Sequence, residues 1–245
     1  MRDIDQLALL LGDDYVLNDR ITIHQPTIKS IKQYGEKEYF NLVAKLTAYP
    51  GDMKYPLWQK GIDYENISDF EMFLYMTRSI TAKDSYILFG DLDLSAMKVV
   101  PSDVGRPMLY DEKNDIRIDE NIYRYIFNFL VTTHRLHKDH EYAGNEETKQ
   151  LLIELDRQDR EMAENAEFKS GLYNIISTLV NIDGFKYDYD TIQDLTLYQL
   201  MDSVARVQVI KSSLALLQGS YSGMIDTSKI DKEYFNFLRE IKVEN

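Results

Sequence analysis

At 245 residues and 28.7 kDa the chain is long enough to bury roughly 70 to 75 % of its unfolded surface, so it needs no covalent staples. It has no cysteine, which excludes disulfides, thiolate metal centres and cysteine nucleophiles and fits a reducing compartment. A net charge of -13 repels phosphate backbones and anionic membranes, and the basic stretches "KSIKQYGEK" and "REIKVEN" are short and mixed with acids, so nucleic acid is not an expected partner.

The opening "MRDIDQLALLLGDD" holds an apolar run too short for a secretory signal or a bilayer span, so no membrane association is expected. "YVLNDRITIH" reads as a hairpin, Tyr15 to Leu17 and then Ile21 with Ile23, turning at Asn18-Asp19. Pro26 stops the second strand. Thr27 then opens a helical stretch that buries Ile28, Ile31 and Tyr34 and, beyond Gly35, Tyr39, Phe40, Val43 and Leu46. "AYPGDMKYPLWQKG" reads as a loop presenting Trp58, and Ser68 with Glu71 forms a capping box that starts a helix running to about Ile80.

From Tyr86 to Ile118 the runs "YILF", "KVV", "PMLY" and "DIRI" predict a small antiparallel sheet, its clearest hairpin tipped by Glu112 to Asp115. Beyond Asp119 every segment reads as helix. Asp119 caps the first, which carries Ile122, Tyr125, Ile126, Phe129, Leu130 and Thr133 on its apolar stripe, runs through the histidines and ends at Gly144. "NEETKQLLIELDRQDREMAENAEF" predicts a solvated helix anchored by Leu152, Leu155 and Met162, and "GLYNIISTLVNIDG" a short buried one closed by Gly184. A second capping box, Thr196 with Gln199, starts a long helix to Leu217 whose apolar face shifts from Leu197, Leu200, Met201, Val204 and Val207 to Ile210, Leu214 and Leu217. A last amphipathic helix is expected over Lys232 to Ile241. The expected class is mainly α with a small antiparallel β portion (α+β), a mixed lobe over 1–118 and an all-helical lobe over 119–245.

Three of the four histidines, His134, His137 and His140, stand three apart in "THRLHKDHEY". On a helix they would share a ~120° arc, with Glu141 able to join as a ligand. The zincin order of histidines four apart, with glutamate after the first, is absent, and basic groups at a helix C-terminus offset its dipole without any metal. "YILFGDLDL" offers a second acid pair, Asp91 and Asp93, in the acid-x-acid arrangement that holds a divalent metal on a diphosphate. No nucleotide-binding strand with a glycine-rich turn accompanies it. The acids Asp183, Asp188, Asp190 and Asp194 lack EF-hand order and read as helix caps at Asp190 or Asp194. No P-loop or nucleophile elbow is present, so neither a cofactor nor an enzymatic activity is expected.

The phrase "ITIHQPTIKSIKQYGEKEYF" and the closing "LTLYQLMDSVARVQVIKSSLALLQGSYSGMIDTSKI" resemble tail morphogenesis proteins of tailed phages of Gram-positive hosts, the tail assembly chaperone-like group. The resemblance implies a non-enzymatic protein of the host cytoplasm that binds the tape-measure protein, and tail-tube subunits, before polymerisation. It is also compatible with a homo-oligomer. Trp58, Tyr198, Met201 and Tyr221 are amphipathic or soft side chains of the kind that cover a client's apolar helices. The segment from Tyr86 to Ile118 goes beyond the shorter members of that group and leaves a structural tail or neck component of the virion as an alternative. A metal-dependent enzyme using Asp91 and Asp93, or the cluster from His134 to His140, is a further alternative.

Overall fold

A computed structural model describes residues 4–138, 140–223 and 225–241. The first three residues of the apolar leader and the last four of "REIKVEN" therefore lie outside the described residues, as does Asp139 within the histidine stretch. Helix makes up 58 % of the chain and the strands form two small antiparallel sheets, so the protein is mainly α with a small β portion, as its sequence predicts.

A first short helix, α1 (Gln6–Leu11), is capped by Asp5 and closed by Gly12 in the left-handed region. The hairpin follows as β1 (Tyr15–Asn18) and β2 (Ile21–Ile23), with the Asn18 side chain accepting from the amides of Arg20 and Ile21 to hold the turn. Thr27 caps α2 (Ile28–Tyr34), and Gly35, at φ +110, joins it to α3 (Glu36–Leu46). A 3-10 turn (Pro50–Met53) leads into α4 (Lys54–Trp58), so the proline-containing stretch expected as a loop carries a short helix. Pro56 is accommodated there because a proline in the first turn gives up no intrahelical hydrogen bond.

Ser68 and Glu71 make their capping box at the start of α5 (Asp69–Thr77), where Phe70, Phe73, Leu74 and Thr77 are buried as the spacing predicts. The next element corrects the sequence reading. "YILF" lies in α6 (Ala82–Phe89), started by a third capping box of Thr81 with Asp84. Four apolar residues in a row cannot distinguish a strand from a buried helical turn, and here the upstream cap decides. The sheet begins later, as β3 (Lys98–Pro101), β4 (Pro107–Asp111) and β5 (Ile116–Ile118) in the order β3-β4-β5.

Asp119 caps α7 (Glu120–His134), which ends ten residues before Gly144 because Arg135 adopts the left-handed conformation, at φ 49. Then come α8 (Glu146–Asn165), α9 (Gly171–Val180) and α10 (Leu197–Tyr221), the last started by the Thr196-Gln199 capping box. Beyond α10 the described residues form only 3-10 turns, including Lys232–Phe235, where a full amphipathic helix was expected. That segment straps back on α10: the Arg206 guanidinium donates to the carbonyls of Phe237 and Arg239, and Ser213 Oγ donates to the Tyr234 carbonyl. The same strap accounts for the face of α10, which in its second half buries Val209 and Ser213 rather than Ile210 and Leu214.

One apolar cluster runs from Leu9 to Leu200 and draws on both sides of residue 119. Tyr15 stacks on Phe129 at 5.2 Å, the Ile28 amide donates to the Leu195 carbonyl, and Glu36 accepts from Ser170 Oγ and the Leu172 amide. A smaller cluster of Ala48, Leu57, Tyr64, Met72 and Ile153 sits where α4 meets α8.

Candidate functional site

The histidines do not converge. His134 closes α7 and is buried, with Nδ1 2.8 Å from the Leu130 carbonyl and Nε2 2.7 Å from the Tyr39 hydroxyl. The carbonyl can only accept, so Nδ1 carries the proton and Nε2 accepts from Tyr39. Desolvation pushes the His134 pKa down to about 4, and burial raises that of Tyr39. Both ring nitrogens are therefore committed to the protein.

His137 and His140 lie past the end of α7, so the shared helical arc does not form. His140 Nε2 sits 3.3 Å from Asp69, with its ring edge-on to Tyr49, and Glu141 pairs with Lys54 at 3.2 Å. Among the described residues no three His, Asp or Glu side chains are grouped to hold a metal ion. Asp91 and Asp93 also part ways. They follow a helix, Asp91 is exposed on a turn, and the Asp93 carboxylate caps a 3-10 turn (Leu94–Ala96) by accepting from the amides of Ser95 and Ala96. In the later acidic group the turn is held by Asp188, not by Asp190 or Asp194: its carboxylate accepts from the amides of Asp190 and Thr191 and from the Thr191 hydroxyl.

What the fold does build is a cleft of about 490 Å³ between the Tyr49–Gly51 turn, the start of α5, α7 and the segment after it. Its aromatic lining includes Tyr49, Tyr64, Phe70, Tyr123, Phe127 and Tyr142. The hydroxyls of Tyr64 and Tyr123 are buried in this lining without a hydrogen-bond partner. Burial raises the pKa of each, so each phenol stays a neutral donor.

The rim carboxylates are matched by cations: Glu65 by Lys149 at 3.0 Å, Glu141 by Lys54, and Glu120 by Arg124 at 2.5 Å. Hydrogen bonds from the Ala143 amide and from Lys149 hold the Glu65 pKa below its ordinary value. The groups that shift here, Tyr64, Tyr123 and Glu65, all move away from neutrality. The sequence reading passed over Tyr64 and Tyr123. Tyr123 was legible, because it stands four residues before Phe127 and three after Glu120 on a helix with a recognised cap.

The four side chains expected at a partner interface are dispersed. Trp58 is half exposed at the end of α4 and stacks on Tyr55. Tyr198 and Met201 are partly buried against the main core. Tyr221 is 87 % exposed, ~30 Å along α10 from Met201 at 1.5 Å per residue.

Fold and cleft together define a mainly helical protein with an aromatic-lined cleft on its surface. Residues 164–242 match the family model of the YomV second domain, YomV being a Bacillus phage-region protein. The stretch similar to this phage-associated domain family takes in the last two residues of α8, then α9, α10 and the strap behind it. No curated protein and no solved structure matches the chain. No helix among the described residues is long and apolar enough to cross a membrane.

Proposed function

We propose that this is a non-enzymatic phage assembly protein of the host cytoplasm that binds tail components, the tape-measure protein first among them and tail-tube subunits second. The observation that carries the reading is the phage-associated family match over 164–242, which contains the closing segment whose sequence resembles tail morphogenesis proteins. Large side chains left exposed in that stretch support it: Phe168, Tyr173, Leu214, Tyr221 and Leu238 offer contact area to a client.

The test is co-expression with the tape-measure and tail-tube proteins of the same phage, together with mass spectrometry of purified particles. A co-purifying tape-measure complex, with this chain absent from particles, is the expected result. Stoichiometric presence in particles would make it a virion component instead. No complex with either protein, and normal tails when the gene is deleted, would sink the proposal.

A further inference from the structure

Helix α8 is largely solvated, with Ile153 its one buried residue, and its two sides differ in kind. Lys149, Ile153, Asp156 and Arg160 fall within an arc of ~60° at ~100° per residue, and all four face the body of the protein. Ile153 enters the smaller core, Asp156 accepts from the Tyr55 amide at 2.8 Å, Arg160 donates to the Asp52 carbonyl, and Lys149 bonds Asp63 at 2.6 Å. The docked side of the helix is thereby fixed.

Close to opposite it lie Leu151, Leu155, Gln158 and Met162, also within ~60°. Their four-three-four spacing is that of alternating d and a positions in a heptad seam. All four are exposed, Met162 at 67 %. Of the expected anchors Leu152, Leu155 and Met162, only Leu152 is partly buried, and the docked side is anchored by Ile153 instead.

The flanks of this seam say what covers it. Glu147, Glu154 and Glu161 recur every seven residues along one flank, at g positions, and Asp159 stands at an e position on the other. Arg157, nearer the docked side around the helix, donates to both Glu154 and Glu161, so the flanks keep four carboxylates against that one cation. A second copy of the same helix would set Glu154 against Asp159 in a parallel pair and glutamate against glutamate in an antiparallel one, and like charges at these positions disfavour pairing.

We propose that the outer face of α8 is a docking site for one amphipathic helix of a partner protein, whose apolar heptad seam is flanked by lysine or arginine. This goes beyond the assembly role and stands independently of it, because the argument uses only the register and charge of α8. The partner helix lies along Leu151, Leu155 and Met162, with its cations against Glu147, Glu154 and Glu161.

The experiment uses the full chain and three fluorescein-labelled three-heptad peptides. One carries Leu and Ile at a and d with Lys at e and g, the second carries Glu at e and g, and the third scrambles the first. Anisotropy is expected to report binding of the lysine heptad peptide, with the other two at least tenfold weaker. Leu155→Glu combined with Met162→Glu should weaken that binding at least tenfold, with an unchanged circular dichroism melt because both side chains are exposed. Glu147→Lys combined with Glu161→Lys, which leaves the apolar seam intact, should shift preference to the glutamate peptide.

Equal binding of the scrambled peptide would overturn the proposal, as would binding unaffected by either double variant. So would a dimer of the unmodified chain in sedimentation that Leu155→Glu with Met162→Glu abolishes. Loss of the tape-measure complex with peptide binding intact would count against the assembly role alone. A tape-measure complex formed while the lysine peptide fails to bind would count against the α8 site alone.

Discussion

At the scale of single residues the interior is organised around a neutral histidine. His134 accepts from Tyr39 and donates to the Leu130 carbonyl inside the main cluster, so a second proton on its ring would force the Tyr39 hydroxyl from donor to acceptor and bury a charge. Its pKa falls from the ordinary 6.5 to about 4 because burial penalises the imidazolium. The unfolded chain takes up that proton below pH 6.5 and the folded chain resists until about 4. The contribution to stability is therefore complete above pH 6.5 and lost as pH falls through that window, at most about 3 kcal/mol at 1.36 kcal/mol per unit. Urea unfolding at pH 7.5 and 4.5 should show this loss, and His134→Gln should show a shallower fall over the same interval. Tyr39→Phe removes the donor to a buried ring nitrogen and should cost about 1 to 3 kcal/mol at pH 7.5. A Tyr39→Phe variant as stable as the parent would mean that the 2.7 Å contact contributes nothing.

At the scale of elements the capping boxes are the most informative features. Thr196 accepts from the Gln199 amide while the Gln199 side chain accepts from the Thr196 amide, and the same Gln199 donates to the Leu10 carbonyl, tying α10 to α1. Thr196→Ala should cost about 1 kcal/mol in thermal or chemical unfolding, and Gln199→Ala a similar amount with additional loosening of α1. Gly35 gives a sharper case. Its φ of +110 lies where a side chain is strained, and an added Cβ would meet the Glu38 carboxylate, so Gly35→Ala should destabilise by about 1 to 3 kcal/mol. The same features explain which elements the sequence discloses. Helix starts at Thr27, Ser68, Asp119 and Thr196 are legible because a cap is a local chemical pattern. The end of α7 at Arg135 is not, since a left-handed arginine leaves no mark in composition, and with it went the supposed histidine arc. The aromatic cleft was illegible for another reason: it assembles Tyr49, Tyr64, Tyr123 and Tyr142 from four separate segments, and only tertiary packing brings these together.

At the scale of the whole molecule, the matched segment 164–242 is not energetically separate from what precedes it. Leu172 and Leu179 of α9 and Leu197 and Leu200 of α10 belong to the same buried cluster as Ile21, Ile31 and Phe129. Thr27 and Thr196 form an antiparallel bridge across more than half the chain, and Arg135 pairs with Asp202 at 3.2 Å. Cutting these contacts would expose four buried leucines, each worth about 1.5 to 3 kcal/mol of apolar burial, against a typical domain stability of about 5 to 15 kcal/mol. A fragment spanning 164–242 should therefore show weak, gradually melting helicity, whereas the full chain should unfold in a single transition by circular dichroism and tyrosine fluorescence. Adding the complementary fragment 1–163 should restore a cooperative melt if the cluster is the source of the dependence. A sharp independent transition for 164–242 alone would place the stability of α9 and α10 within their own packing, and the interactions of Glu36 with α9 and of Gln199 with α1 would then serve orientation only.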